Sequence, residues 1–204
     1  MTKIKICGIR DLEGIGYVNK YKPDYVGFVF AQSKRQVDDA LAASLKEALD
    51  KSISAVGVFV NEPLEHIVSL CQNGIIDMVQ LHGDEDGIYL EKLRSCISNT
   101  IIKAVRVKTR EQIPTTELKN CDYMLLDTFV EGSYGGSGVT FDINLIPKSS
   151  KPFFLAGGLN KDNIEKVIKK CTPYCVDVSS GVETNMKKDE LMIKEIIKLV
   201  RDIG

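Results

Sequence analysis

The sequence has little to offer a metal. Only two histidines occur, His66 and His82, and none of its six cysteines stands in a C-x-x-C pair. Those counts speak against a zinc site. An excess of one charge is also missing: 27 Lys and Arg stand against 28 Asp and Glu, a formal net charge of −1. Electrostatics therefore gives no reason to expect nucleic acid or an anionic membrane surface as partner. No apolar run approaches the length of a membrane span, and the first residues have neither a signal peptide's apolar core nor its cleavage site. A cytoplasmic location is expected, with the cysteines as reduced thiols serving mostly as small core residues. The dinucleotide fingerprint G-x-G-x-x-G does not follow the first apolar run, which continues as "CGIRDLEG". Long linkers and low-complexity segments are absent too.

What the 204 residues do contain is alternation. Eight short apolar runs read as strands: "KIKIC" (3–7), "YVGFVF" (25–30), "SAVGVFV" (54–60), "DMVQL" (77–81), "IIKAV" (101–105), "YMLLD" (123–127), "PFFLA" (152–156) and "YCVDV" (174–178). Several are nearly continuously apolar, as in parallel sheets covered by helices. Helical spacing fills the gaps. Leu64, Ile67, Val68 and Cys71 fall at i, i+3, i+4 and i+7, as do Ile164, Val167, Ile168 and Cys171. Met192, Ile196 and Leu199 make a stripe in the tail. Pro63 suits a helix's first turn. Further helices are expected at 38–48 and 87–97, a short one near 142–146, and one around 111–118 that contains Pro114.

Parallel neighbours need crossovers, which helices supply. Eight β/α units predict a (β/α)8 TIM barrel, one domain over 1–204, compact for that fold. A doubly wound open sheet is the rival, with fewer strands and a fingerprint this chain lacks.

A barrel places its active site on the loops that follow the strands. Here the strand-leading residues read as plain turns: Lys22, Pro23 and Asp24; Asn120, Cys121 and Asp122; Thr172 and Pro173. The lysine pairs 169–170 and 187–188 read as solvated faces. The strand-trailing residues are reactive or anion-binding: Cys7, Arg35, His82, Asp127, then Gly157 and Gly158, then Ser179, Ser180 and Gly181. One Gly-Gly pair alone is most often a turn. Two small-residue stretches after strands seven and eight suit a phosphate, held by free backbone N–H groups at a short helix N-terminus. A third such stretch, "YGGSG" (134–138), follows strand six.

With these in order, "KICGIR", "GFVFAQSKR", "AVGVFVN", "VQLHGDE", "LLDT", "GGSGVTFD", "LAGGLN" and "VDVSSGVE", the chain resembles the phosphoribosylanthranilate isomerase family of tryptophan biosynthesis over its whole length. The resemblance implies an Amadori rearrangement of N-(5′-phosphoribosyl)anthranilate, an aldose–ketose isomerisation without cofactor. It implies Asp127 as general acid and Cys7 as general base. An aspartic acid starts near about 3.9 and a cysteine near about 8.5, so a pair working near neutrality needs both moved inward. A cationic neighbour or a helix N-terminus must lower Cys7, or a minor thiolate population does the work. Lys3 and Lys5 share a strand face with Cys7 by parity. Gly8 is expected to free space beside the sulfur.

By the same resemblance Arg35 contacts the anthranilate carboxylate through paired hydrogen bonds. His82 supplies a polar wall or donor, and Asp177 reaches the sugar hydroxyls or tunes the acid. The backbone at Gly157, Gly158, Ser180 and Gly181 is assigned to phosphate. The chain departs from the family at Lys34, where proline is frequent, at Ile143, where tryptophan is, and at Thr184, Asn185 and Met186, which replace a common Pro-Gly pair. These touch loop stiffness rather than chemistry. The histidine-pathway isomerase, whose acid–base pair is two aspartates, and a catalytically silent phosphate-binding barrel are the alternatives. Monomer and homodimer are both left open.

Overall fold

The eight apolar runs form eight strands that close into a parallel barrel in chain order. They are β1 (Lys3–Cys7), β2 (Tyr25–Val29), β3 (Ser54–Phe59), β4 (Met78–Leu81), β5 (Thr100–Val107), β6 (Tyr123–Thr128), β7 (Phe153–Leu155) and β8 (Cys175–Val178). The structure, a computed structural model, describes residues 1–109, 111, 113, 119–128, 145–146 and 152–203. The helices expected over 111–118 and 142–146 and the "YGGSG" stretch fall largely or wholly outside these. Six α-helices lie among the described residues: α1 (Leu12–Tyr21), α2 (Asp39–Ala48), α3 (Leu64–Gln72), α4 (Gly87–Cys96), α5 (Ile164–Cys171) and α6 (Glu190–Ile203).

Residue chemistry explains the helix starts. Asp11, Asp38 and Asp86 accept from the N–H groups of Gly14, Leu41 and Tyr89 at 2.7, 2.8 and 2.8 Å, satisfying orphan donors of α1, α2 and α4. Pro63 stands just before α3 with ψ at 134°, at the cap rather than in the first turn. The buried face of α6 is Ile193, Ile196, Ile197 and Val200, with Met192 and Leu199 on its flanks. The apolar stripe is thus wider than the one spacing first suggested, as a helix seated on a barrel requires.

Strand parity sorts the core into two. Outward residues such as Ile4, Ile6, Val26, Phe28 and Val176 pack under the helices. Inward residues Tyr25, Val56, Ile102, Leu125 and Phe154 fill the barrel. Its N-terminal end is stoppered by aromatic rings. Tyr123 stacks on Tyr174 with centroids 4.8 Å apart, and Phe154 meets Tyr123 at 5.4 Å. Lys3 donates to Tyr25 Oη at 3.1 Å and sits 5.3 Å from the Tyr25 and Tyr174 rings. These side chains fill the barrel interior at this end.

The strand-leading aspartates are more than turn residues. Asp24, Asp77 and Asp122 immediately precede β2, β4 and β6. Their Oδ2 atoms accept from the N–H groups of Ile4, Ala55 and Ile101 at 2.9, 2.7 and 2.7 Å. Each aspartate N–H donates back to the same residue's carbonyl, at 3.0, 2.8 and 2.8 Å. Before β8 the position is Tyr174, whose N–H donates to Phe153 O at 2.9 Å while its side chain meets Tyr25 Oη at 3.0 Å instead of clasping the neighbouring strand's backbone.

After β8 the chain makes a 3-10 turn (Ser180–Val182) and a hairpin of β9 (Glu183–Thr184) and β10 (Lys187–Lys188). Asn185 and Met186 at its tip have φ of 52° and 66°, the two-residue turn whose twist suits a hairpin. Lys188 is therefore not a solvated lysine. Its side chain is 6% exposed and pairs with Glu183.

Candidate active site

Cys7 is the last residue of β1, buried and facing inward. Its neighbour across the β1–β2 pair is Gly27. A Cβ there would lie 2.6 Å from Cys7 Sγ, so Gly27, not Gly8, frees the space beside the sulfur. Gly8 has φ +82°, and a Cβ on it would lie 2.5 Å from Arg35 Cδ. It lets the chain turn left-handed under the arginine. Burial pushes the Cys7 thiol up, and Asp177 adds to this. Lys5 and Lys188 pull it down by charge, Lys5 also by hydrogen bonding, but burial wins and the pKa is raised.

Lys5 is the ammonium that parity put near Cys7. Lys3, on the same face, lies at the stoppered end. Lys5 is fully buried, and its Nζ donates to Asp177 Oδ2 at 2.9 Å and to Gln80 Oε1 at 2.8 Å. Burial works against its charge, but Asp177 and Cys7 outweigh burial and hold the ammonium above its ordinary range. From Gln80 the bonds continue across the barrel. Gln80 Nε2 meets His82 Nδ1 at 2.8 Å, and His82 Nε2 meets Asp127 Oδ2 at 3.1 Å. Asp177, Lys5, Gln80, His82 and Asp127 thus form one buried row from β8 and β1 through β4 to the end of β6. Asp177 Oδ1 is buried without a hydrogen-bond partner among the described residues.

At the rim, Arg35 forks onto Glu183, Nε to Oε1 at 2.8 Å and Nη2 to Oε2 at 2.7 Å. Lys188 Nζ donates to Glu183 Oε1 at 2.7 Å and to Ser179 O at 3.0 Å. Burial alone would raise Glu183, yet the two cations hold its carboxyl below the usual range. Two cations on one carboxylate leave this cluster with a net positive charge beside the barrel mouth. Arg10 braces the same rim by donating to Lys34 O at 2.6 Å and Met186 O at 2.9 Å.

Next to it the loops after β7 and β8 meet backbone to backbone. A Cβ on Gly181 would lie 2.0 Å from Leu159 O. Gly157 and Gly158 have φ of 95° and 60°, and Asn163 Nδ2 donates to Gly158 O at 2.9 Å. The 3-10 turn begins here, and the first N–H groups of such a turn have no partner within it. Ser179 Oγ ties the turn to Cys7 O at 3.1 Å.

Residues 4–199 match the family model described as N-(5′-phosphoribosyl)anthranilate (PRA) isomerase. The chain belongs to this family. The PRA isomerase of Endomicrobium trichonymphae is 49% identical over 203 residues, covering 100% of both chains. Monomers generated from the dimeric phosphoribosylanthranilate isomerase of Thermotoga maritima align with a TM-score of 0.85 and 36% identity, over 99% of this chain and 100% of that one. A PRA isomerase in complex with reduced 1-(o-carboxyphenylamino)-1-deoxyribulose 5-phosphate aligns with a TM-score of 0.82 and 33% identity, over 99% and 100%.

The residues singled out by resemblance to PRA isomerases divide into three groups. His82, Asp127 and Asp177 share the buried row, and Cys7 lies beside its Lys5 end. Gly157, Gly158, Ser180 and Gly181 lie on the paired loops. Arg35 stands at the rim, engaged by Glu183. Sequence reasoning missed Gln80, Gly27, Glu183 and Lys188. Gln80 carried a signal, being the polar residue two before His82 and hence on the same strand face. Cys7 and Cys175 are buried and Cys71, Cys121 and Cys171 pack half-buried against the core, so of the six cysteines Cys96 alone is exposed. Among the described residues no group of three or more His, Cys, Asp or Glu is placed to hold a metal, and no helix is long and apolar enough to cross a membrane.

Proposed function

We propose that this chain rearranges N-(5′-phosphoribosyl)anthranilate to 1-(2-carboxyphenylamino)-1-deoxyribulose 5-phosphate, the isomerase step of tryptophan biosynthesis, with Asp127 as general acid and Cys7 as general base. The observation that carries it is a buried carboxyl near the C-terminal end of β6 and a buried thiol at the C-terminal end of β1 in one closed barrel, beside the paired glycine loops. The relative whose structure holds a reduced form of this product supports the same ligand here.

The chemistry needs one proton delivered and one removed. Asp127 protonates the furanose ring oxygen. The C1′–O bond breaks, its electron pair stays on oxygen as the new hydroxyl, and the nitrogen lone pair closes a protonated C=N bond. That cation acidifies the C2′ hydrogen. Cys7 takes it, and the C–H electrons form the enolamine, which tautomerises to the ketone. No electrons leave the substrate, so the steps need no redox partner. Cys7 acts from its minor thiolate population, which burial disfavours and the charges of Lys5 and Lys188 support, and it becomes the thiol on taking the C2′ proton. Arg35, with Lys188 behind it, takes the anthranilate carboxylate by charge. The backbone at Gly157, Gly158, Ser180 and Gly181 takes the phosphate. Asp177 Oδ1 suits a sugar hydroxyl, because a buried acceptor without a donor is costly.

The test is direct. Phosphoribosylanthranilate is generated in situ and the decay of its anthranilate fluorescence is followed. Cys7→Ser and Asp127→Asn are each expected to lower kcat by about 100-fold or more, with product binding nearly unchanged. Loss of binding with normal turnover of bound substrate would sink the acid–base assignment. A decay no faster than the enzyme-free control would sink the reaction itself.

A further inference from the structure

The buried row has a direction. Lys5 Nζ carries donors and no acceptor, so the group of Gln80 facing it at 2.8 Å is the carbonyl oxygen. The Gln80 amide nitrogen then faces His82 Nδ1 at 2.8 Å. An amide NH2 only donates, so Nδ1 must accept and carries no proton. The ring's proton is on Nε2, and it is donated to Asp127 Oδ2 at 3.1 Å. Every assignment follows from the one before, starting at a side chain that cannot accept.

We infer that Gln80, anchored by Lys5, is a positioning residue that fixes the tautomer of His82 and thereby puts the transferable proton of Asp127 on Oδ1. The second half rests on the proposed role of Asp127 as acid, and the first half does not. The carbonyl-type oxygen is the better acceptor, so the Nε2–H bond to Oδ2 favours the carboxyl's proton on the other oxygen. As that proton leaves for the ring oxygen of the substrate, the negative charge spreads onto Oδ2. The Nε2–H bond to it then becomes charge-assisted and strengthens. An interaction stronger in the transition state than in the ground state raises kcat rather than affinity. The opposite tautomer would present a lone pair to Asp127 and draw the acidic proton toward the histidine, away from the substrate. Among the described residues the titratable groups at the row are Asp177, Lys5 and Cys7 at one end and Asp127 at the other, where Arg106, the register partner of Asp127 on β5, donates to Asp84 Oδ1 at 2.7 Å. Lys103 and Glu85 close on each other at 2.6 Å outside it.

The decisive measurement is nitrogen NMR on protein labelled with 15N-histidine, where His66→Gln assigns the two rings. Near neutral pH, His82 is expected to show a bare Nδ1 and a protonated Nε2. Gln80→Glu keeps the shape but accepts at both ends, so a proton must move to Nδ1. It is expected to lower kcat about 10- to 100-fold while KM stays within about twofold. Should that variant not fold, Gln80→Met, which donates nothing, is expected to give mixed tautomers and a smaller fall in kcat. A protonated Nδ1 in the unsubstituted protein overturns the inference. So does a variant whose ring proton moves while kcat does not. Retained turnover in Asp127→Asn would instead remove the acid and leave the tautomer standing as measured.

Discussion

At the scale of single residues, the site is governed by what is left out beside Cys7. Gly27 faces it across the β1–β2 pair, and any side chain there meets the sulfur. Gly27→Ala would place a methyl 2.6 Å from Sγ and about as close to the rest of Cys7 as contact permits, at 3.1 Å from its Cα. The thiol must turn away or the strands must part. Overpacking of this kind costs about 1–3 kcal/mol, and on the proposed role of Cys7 a base moved by an ångström loses alignment with C2′. The expected outcome is a clear drop in kcat with a modest loss of urea stability. Normal kcat in a well-folded Gly27→Ala protein would mean that the sulfur's position is unimportant. Parity made Cys7 and Lys5 legible in advance, because a strand's side-chain period is two. It did not make Gly27 legible. A glycine inside "YVGFV" looks like any strand glycine until the register across β1–β2 is known, and register is a property of two strands. Lys188 was misread for a similar reason. In a row of surface-type residues nothing local marks the lysine that a hairpin folds inward.

Among elements, the barrel is stitched at its stoppered end by aspartates that alternate with strands. Asp77 ties the start of β4 to Ala55 of β3 and takes Lys46 of α2 at 2.5 Å. Asp122 repeats this with Ile101 of β5 and Arg94 of α4 at 2.5 Å. The carboxylate takes the N–H of the odd strand's second residue, and the aspartate's own N–H returns to that residue's carbonyl, so each clasp adds a side-chain bond to a backbone one. Asp122→Ala leaves the Ile101 N–H without its acceptor, and is expected to cost about 1–3 kcal/mol. Chemical denaturation measures the cost, and turnover at low temperature should be near normal because the proposed active site is at the other end. A stability loss below a few tenths of a kcal/mol would reduce the clasp to decoration. The strands themselves were legible from their apolar runs to within a residue or two. The clasps were not, because "NCD" and "KPD" before a strand spell turn chemistry equally well. The hairpin β9–β10 was hidden too, since two-residue strands have no period to detect.

For the molecule as a whole, stability against pH reflects where the paired charges lie. Glu183 is held below the usual carboxylate range by Arg35 and Lys188 against the effect of burial. Its contribution is present above its unfolded pKa of about 4.3 and is lost as pH falls through the lower folded value. His66 works in the opposite sense. Its Nδ1 faces Glu62 Oε1 at 2.7 Å and its Nε2 faces Asp39 Oδ1 at 2.9 Å, while the ring stands edge-on to Phe30 and Phe59. Burial disfavours its charge, but the two carboxylates prevail and its pKa is raised. The folded protein therefore holds a proton that the unfolded chain releases near about 6.5. That stabilisation is complete below about pH 6.5 and disappears as pH rises through the folded value. Asp39 is largely exposed, so solvent screening limits the effect to about 1 kcal/mol or less. Together the two groups place the stability maximum between the Glu183 and His66 transitions, on the acid side of neutral. Urea midpoints measured from mildly acidic to mildly alkaline buffer should decline through the His66 titration. His66→Gln keeps a polar side chain but cannot titrate, and should flatten that decline while leaving the acid-side loss in place. Equal slopes in the two proteins would show that the His66 carboxylate pair does not set the alkaline side of the curve.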